Sequence, residues 1–255
     1  MYRFLLRPRW LVLHAVVLVL VPTFLCLARW QFDKHQMRRV DNALIQRNIA
    51  VPAVPLQLIT QPDNAISRED TWRQVSATGR YDPDHQILVR NRTVAGKPGF
   101  LVLTPLVTDT GVAVVVNRGW IPPGPNALTP IAAPAPPTAE VQITGRIRPS
   151  EPQSDAGPRD DSDLPKGQVA RIDIPRIATR LHYFLYGGYL ELTDQQPEFR
   201  SGSPEESKAA LVAMPPPGIS AGPYLSYAGQ WCLFAIATLA GWLVLVVRKV
   251  HSDNL

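Results

Sequence analysis

The sequence predicts an α+β membrane protein, with two transmembrane helices flanking one antiparallel β-rich extracytoplasmic domain that contains a short helix. Three observations lead there. Apolar residues crowd into both ends of the chain, the middle is a series of short β-branched or alternating runs separated by turn residues, and a polar stretch free of proline and glycine follows the first apolar run. The resulting division is a cytoplasmic tail over 1–9, a transmembrane helix over 10–30, an extracytoplasmic domain over 31–222, a second transmembrane helix over 223–247 and a cytoplasmic tail over 248–255.

The first apolar run, WLVLHAVVLVLVPTFLCLA from Trp10 to Ala28, has His14 as its one strongly polar member. About 20 helical residues cover a hydrocarbon layer of roughly 30 Å, so the run is long enough to cross. Arg29, Trp30 and Gln31 stand where a cleaved signal would carry small residues, which predicts a retained helix. Pro22 kinks such a span without abolishing it. The second run, YLSYAGQWCLFAIATLAGWLVLVV from Tyr224 to Val247, is followed at once by Arg248, Lys249 and His251. Basic residues beside a span favour the cytoplasm, and two spans put both termini on one side. Arg3, Arg7 and Arg9 ahead of the first helix agree with the basic end of the second.

Between the spans, Arg29 to Asn48 is rich in helix formers, which predicts that the first helix continues out of the bilayer as a stalk until Pro52 and Pro55 end it. Trp72–Tyr81, Gln86–Arg92, Phe100–Val107 and Val112–Trp120 then alternate with turn signals, predicting an antiparallel meander. After a proline and alanine loop over Pro122–Pro137, Glu140–Arg148 returns as a strand. Ser150–Lys166, with Asp155, Asp160, Asp161 and Asp163, is too poor in apolar residues for a core and lacks calcium-loop spacing, so a mobile loop is expected. A strand over Gln168–Ile174, a short helix over Pro175–Leu181 and a strand over Tyr186–Thr193 complete the domain, and Ser201–Gly222 tethers it to the second span.

Composition excludes several functions. The formal charge of +5 comes from cations scattered among acids rather than gathered with stacking aromatics, which argues against nucleic acid. Cys26 and Cys232 both lie in the apolar ends, leaving the middle domain without a disulfide framework or zinc cluster. No GxSxG, HExxH, P-loop or GxGxxG context occurs. Lys97, between Gly96 and Pro98, sits in a turn where water keeps it protonated, so a serine–lysine peptidase is not built here. The chain is expected to bind rather than to catalyse, with no catalytic residues and no metal site. His85 and His182 are each without a nearby Cys or His in the sequence.

The chain resembles the surfeit locus protein 1 family of cytochrome c oxidase assembly factors. The resemblance rests above all on GKPGFLVLTPLVTDTGVAVVVNRGWIP (Gly96–Pro122), with support from ARWQFDKHQMR at the exit of the first helix, TGRY at Thr78–Tyr81 and YLSYAGQW at Tyr224–Trp231. It implies assistance with insertion of haem a into the oxidase, or with stabilisation of its catalytic subunit, and a place in the plasma (inner) membrane of a bacterium. It implies no required cofactor beyond a transient contact with haem a. The implied partners are oxidase subunits, the catalytic subunit first, and membrane lipid; a permanent accessory subunit of the oxidase or of a respiratory supercomplex is the alternative. Many bacterial members carry a histidine shortly before the tyrosine that opens the second helix, and the resemblance makes that histidine the haem ligand. Here the corresponding place holds Tyr224.

The candidate cofactor-binding residues are accordingly Tyr224, Tyr227, Trp231 and His14. Tyrosine can ligate haem iron, Tyr227 and Trp231 lie one turn apart, and an ionisable residue inside a span points to function. The candidate partner-binding residues are Asn117, Arg118, Gly119 and Trp120 at the end of an apolar strand, with Gln230 and Gly241 on the second span. Glycine in a strand permits a bulge or a close backbone approach. Tryptophan and arginine are natural interface anchors. A purely structural role for Asn117–Trp120, with Arg118 in a salt bridge and Trp120 capping the core, is equally open. Gln230 needs a polar partner in the bilayer, and Ala237 with Gly241 has the spacing for close helix approach to the first span or to the oxidase.

Overall fold

A computed structural model of the chain defines residues 3–124, 133–152, 164–198 and 211–252. It divides into a helical unit, Met1–Ala43 with Gly218–Leu255, and a β unit, Leu44–Pro217. Asp155, Asp160, Asp161 and Asp163, and most of the expected tether, lie outside the described residues.

The helical unit contains α1 (Pro8–Ala50) as far as Ala43 and the C-terminal α3 (Tyr224–Ser252). Both are long and apolar enough to cross a membrane. At 1.5 Å per residue α1 extends about 65 Å, roughly twice a hydrocarbon layer, so the stalk expected after Arg29 is the same helix continued. Pro8 opens it, where a missing N–H costs nothing. Pro22 cannot donate to the carbonyl of Leu18, and next to it Thr23 Oγ1 donates to Val19 O at 2.7 Å.

The less exposed positions of α1 include Trp10, His14, Val17, Val21, Phe24, Ala28, Gln31 and His35, and those of α3 include Tyr224, Ala228, Trp231, Ala235, Thr238 and Trp242. Steps of four and three residues alternate in both, the spacing that keeps one seam of a helix against a neighbour. Ala28, Ala228 and Ala235 are the fully buried members, so small side chains lie where the helices approach most closely.

The β unit contains β1 (Val54–Pro55), β2 (Gln74–Tyr81), β3 (Ile87–Val94), β4 (Lys97–Thr108), β5 (Ala113–Ile121), β6 (Val141–Pro149), β7 (Gln168–Val169) and β8 (Leu185–Gln196), with the short helix α2 (Ile174–Ala178). The order is β1-β2-β6-β8-β5-β4-β3-β7, and β2 also pairs with β4. That last pairing closes β2, β6, β8, β5 and β4 into a five-stranded Greek-key barrel, with the strand order of an OB-type fold. At the closure Gly79 faces Thr108, and a Cβ on Gly79 would stand 2.2 Å from Val107 O.

The expected antiparallel meander is corrected in two ways. β2 skips β3 and pairs with β4 and β6, and three pairings, β5 with β8, β1 with β2 and β3 with β7, are parallel. Only Gln168–Val169 of the expected strand Gln168–Ile174 pairs. Asp173 ends the extended run by accepting from Arg176 N at 3.3 Å, and Pro175 lies in the first turn of α2.

β5 explains how the barrel is filled. All nine of its residues are buried. Val114 and Val116 pack with Val75, Leu106, Ile143 and Leu190, whereas Ala113 and Val115 pack with Ile87, Leu103, Ile172 and Ile177 beneath α2. A strand with a core on each face reads as a continuous apolar run, which is what VAVVV is.

Candidate functional site

On the helical unit, Trp242 Nε1 donates to His14 Nδ1 at 2.9 Å. The imidazole also lies 6.1 Å from the ring of Trp10, centroid to centroid. Indole can only donate, so Nδ1 carries the lone pair and the proton of the neutral ring is on Nε2. A metal-ligating histidine has the opposite arrangement, one nitrogen donating outward and the other bare for the metal. His14 as held here is a donor at Nε2. It opens onto an apolar groove lined by Val17, Leu18, Val21, Pro22 and Leu239.

Nearer the other end of the pair, Phe24 stacks on Trp231 with centroids 5.8 Å apart and planes at 23°, and Phe234 closes the group at 5.7 Å from Trp231. Tyr227, one turn from Trp231 on α3, is 46% exposed, whereas Trp231 is partly buried against Phe24. Tyr224 opens α3, and its ring covers Gly222. Its hydroxyl makes no hydrogen bond among the described residues. A tyrosinate ligand requires a neighbouring cation, and no described ion pair or cation–π contact involves Tyr224. Among the described residues, those considered for haem offer aromatic surface.

Gln230 and Gly241 are exposed, and a Cβ on Gly241 would meet nothing within 4 Å. The stripe Gln230, Leu233, Ala237 and Gly241 lies outside the seam with α1.

On the β unit, Asn117–Trp120 forms a bulge. Val102 pairs with Gly119 and Leu103 with Asn117, so Arg118 is the extra residue. Gly119 has φ +146° and donates its N–H to Asn117 Oδ1 at 3.1 Å. A Cβ there would lie 2.8 Å from Val212 O, because Trp120 and Val212 exchange both backbone hydrogen bonds. Both roles foreseen for the glycine are used at once.

Arg118 is 5% exposed, and Nη1 donates to Gln86 Oε1 at 3.1 Å and Pro134 O at 2.9 Å, while Nη2 donates to Ala135 O at 3.2 Å. Burial pushes its pKa down to about 10, against the pull of the Tyr81 ring beneath it. Trp120 is in the core, with Nε1 donating to Arg92 O at 2.9 Å. Arg118 holds the 134–135 segment and the Trp120 backbone holds Val212 on the barrel, and β5 pairs with a strand on each side.

Two clusters escaped the sequence reading. Arg146 and Arg148, two residues apart on β6, share Glu191 at 3.5 and 3.4 Å, and the guanidinium of Arg148 lies 3.5 Å over the ring of Trp72. Burial raises the pKa of Glu191, partly offset by both arginines. The signal was an R-x-R on one face of a strand, legible only once that face is known to be covered.

The second cluster corrects the expectation of isolated histidines. His85 and His182 lie with ring centroids 6.1 Å apart and nearly perpendicular. Asp82 Oδ2 accepts from Tyr183 Oη at 2.7 Å and lies 2.7 Å from His85 Nδ1. Burial opposes ionisation of Asp82, but the Tyr183 hydroxyl, His85 and the Asp84 N–H together hold its carboxyl below the ordinary value. No three Cys, His, Asp or Glu side chains converge among the described residues.

The sequence matches known proteins over most of its length. The family model described as "SURF1 family" matches residues 18–236. An uncharacterized SURF1-like protein of Mycobacterium tuberculosis is 36% identical over 244 residues, covering 93% of this chain and 83% of that one. A SURF1-like protein of Monosiga brevicollis is 26% identical over 259 residues, covering 91% and 86%. The cytochrome oxidase assembly protein SHY1 of Saccharomyces cerevisiae is 28% identical over 96 residues, covering 37% and 24%.

Proposed function

The chain belongs to the SURF1 family, and from that premise we propose that it assists the biogenesis of cytochrome c oxidase, by binding rather than by turnover. The observation that carries this reading is the family match over residues 18–236, which spans most of the chain and takes in the NRGW bulge, most of α1 and the first part of α3. The yeast relative, named a cytochrome oxidase assembly protein, supports the same assignment.

Within that function, the chain acts at stabilisation of the oxidase catalytic subunit. The outward stripe of α3 supports this step. Gln230 is a side-chain amide in an otherwise apolar surface, and Ala237 and Gly241 leave room for a second helix to approach closely. In hydrocarbon the amide is satisfied by a partner helix, not by lipid. Contact with haem a runs through the aromatic surface of Trp231 and Tyr227, and no step is assigned to iron ligation by His14, whose Nε2 bears a proton. Both termini are cytoplasmic and the barrel is outside, in keeping with the basic residues that follow α3.

Purification of the tagged chain in gentle detergent, with mass spectrometry of its partners and a reduced-minus-oxidised spectrum, tests the reading. Substoichiometric catalytic subunit lacking its full haem complement is expected. Stoichiometric mature oxidase would instead make the chain a permanent subunit, and absence of oxidase subunits would overturn the assignment.

A further inference from the structure

The loop after β2 is clamped from several directions. Asp82 N donates to Pro105 O at 2.9 Å, Asp82 Oδ1 accepts from Asp84 N at 3.2 Å, and Gln86 N donates to Pro83 O at 3.3 Å. Gln86 Oε1 in turn accepts from Arg118 and from Thr104 Oγ1. His85 thus projects from a short 3-10 turn fixed at both ends. His182 projects from the turn between α2 and β8, and its neighbour Tyr183 fixes that turn to the same Asp82 carboxylate. One carboxylate therefore ties together two loops that are 101 residues apart in sequence, and each loop presents an imidazole to the other.

The chemistry of the shared carboxylate sets the state of His85. An ionised carboxylate only accepts, so Nδ1 of His85 carries the proton that reaches Asp82. In the neutral ring this leaves Nε2 with its lone pair. A carboxylate that receives one imidazole N–H and so leaves the other nitrogen bare is the arrangement that prepares a histidine for a metal ion. The second imidazole is within reach. An ion about 2.0–2.1 Å from a ligating nitrogen lies about 3 Å from that ring's centroid, and the two centroids are 6.1 Å apart, a separation that one ion held between the two rings can span. His182 is exposed and His85 partly so, which leaves water to complete the coordination.

We propose that His85 and His182 form a binding site for a divalent late first-row transition ion, with Asp82 and Tyr183 as the positioning residues behind it. Two imidazoles and solvent oxygen suit Cu2+ and Zn2+ and are poor ligands for Mg2+ or Ca2+. The site lies within the β unit, and neither it nor the oxidase reading depends on the other.

The test uses the full chain in detergent, carrying an affinity tag without histidine. Titration with Zn2+ by calorimetry, and with Cu2+ by electron paramagnetic resonance, reads stoichiometry and ligands. One ion per chain is expected, with nitrogen hyperfine structure from two imidazoles and no comparable binding of Mg2+. His85→Gln and His182→Gln should each weaken binding at least tenfold, and His182→Gln should leave the thermal melt in place, as His182 is on the surface. Asp82→Asn should weaken it less, with both nitrogens retained in the spectrum. Wild-type affinity in both histidine variants, or binding that follows His14, His35 or His251 instead, would overturn the proposal. So would a wild-type chain that takes up no Cu2+ or Zn2+.

Discussion

Trp242 and His14 are 228 residues apart in sequence, and the indole N–H of one ends on Nδ1 of the other at 2.9 Å. The pair does two things at once. It satisfies two polar groups in a span that offers no water, and it fixes the proton of His14 on Nε2. Replacing Trp242 by Phe keeps the ring and removes the donor. The cost should be close to the average for such interhelical bonds, about 0.6 kcal/mol, with the fold intact. The nitrogen resonances of His14 should report Nδ1 as an acceptor in the wild type and a mixture of tautomers in W242F. Unchanged resonances would mean the hydrogen bond is not formed.

Gly119 is predicted to be irreplaceable even by alanine. Its φ of +146° strains an L side chain, and the added methyl would meet Val212 O at 2.8 Å. G119A should lose about 1–3 kcal/mol, visible as a lower melting temperature of the purified chain. Val212→Ala leaves the carbonyl in place and should not restore the loss.

Stability should fall in acid through Asp82. Its carboxyl titrates below the ordinary value in the folded chain, so the unfolded chain binds the proton more readily. The stability this contributes is present above the ordinary carboxylate pKa of 3.8 and is lost as pH falls through the lower folded value. Melting temperature measured from pH 6 downward should decline less steeply in D82N than in the wild type. Parallel declines would remove Asp82 from the account.

The position of the barrel is open to labelling. Asp109 is exposed at the β4–β5 turn, so a chain with Cys26 and Cys232 changed to Ala and carrying Asp109→Cys has one accessible thiol. It should react with a membrane-impermeant maleimide in intact spheroplasts. Labelling only after lysis would reverse the orientation.

Much of this fold was legible in the sequence, for identifiable reasons. The two apolar runs and the uninterrupted stalk are set by composition and length alone, and α1 and α3 follow. Most strands appeared within two residues of their place because Gly and Pro punctuate them. The pairing of β2 with β4 and β6, and the parallel pairing of β5 with β8, were hidden because they depend on long-range closure. Alternation gives the faces of a strand but does not name its neighbours. The same limit hid the site residues. His85 and His182 look solitary until two distant loops meet at Asp82, and Trp242 looks like an interfacial aromatic until α1 lies beside it. Tyr227 and Trp231 were paired by helical spacing, but the seam with α1 takes one and leaves the other outward. Gly119 was the exception, since a glycine inside an apolar strand limits the backbone to a few explanations.

The central claim, that the chain serves the biogenesis of cytochrome c oxidase, is tested most directly by reduced-minus-oxidised spectra and oxidase activity of membranes from a deletion strain and from the strain complemented with the wild-type chain. The account predicts that the haem a band and oxidase activity fall together in the deletion while the b- and c-type bands persist, and that complementation restores both. Unchanged haem a absorbance and activity in the deletion strain would contradict it.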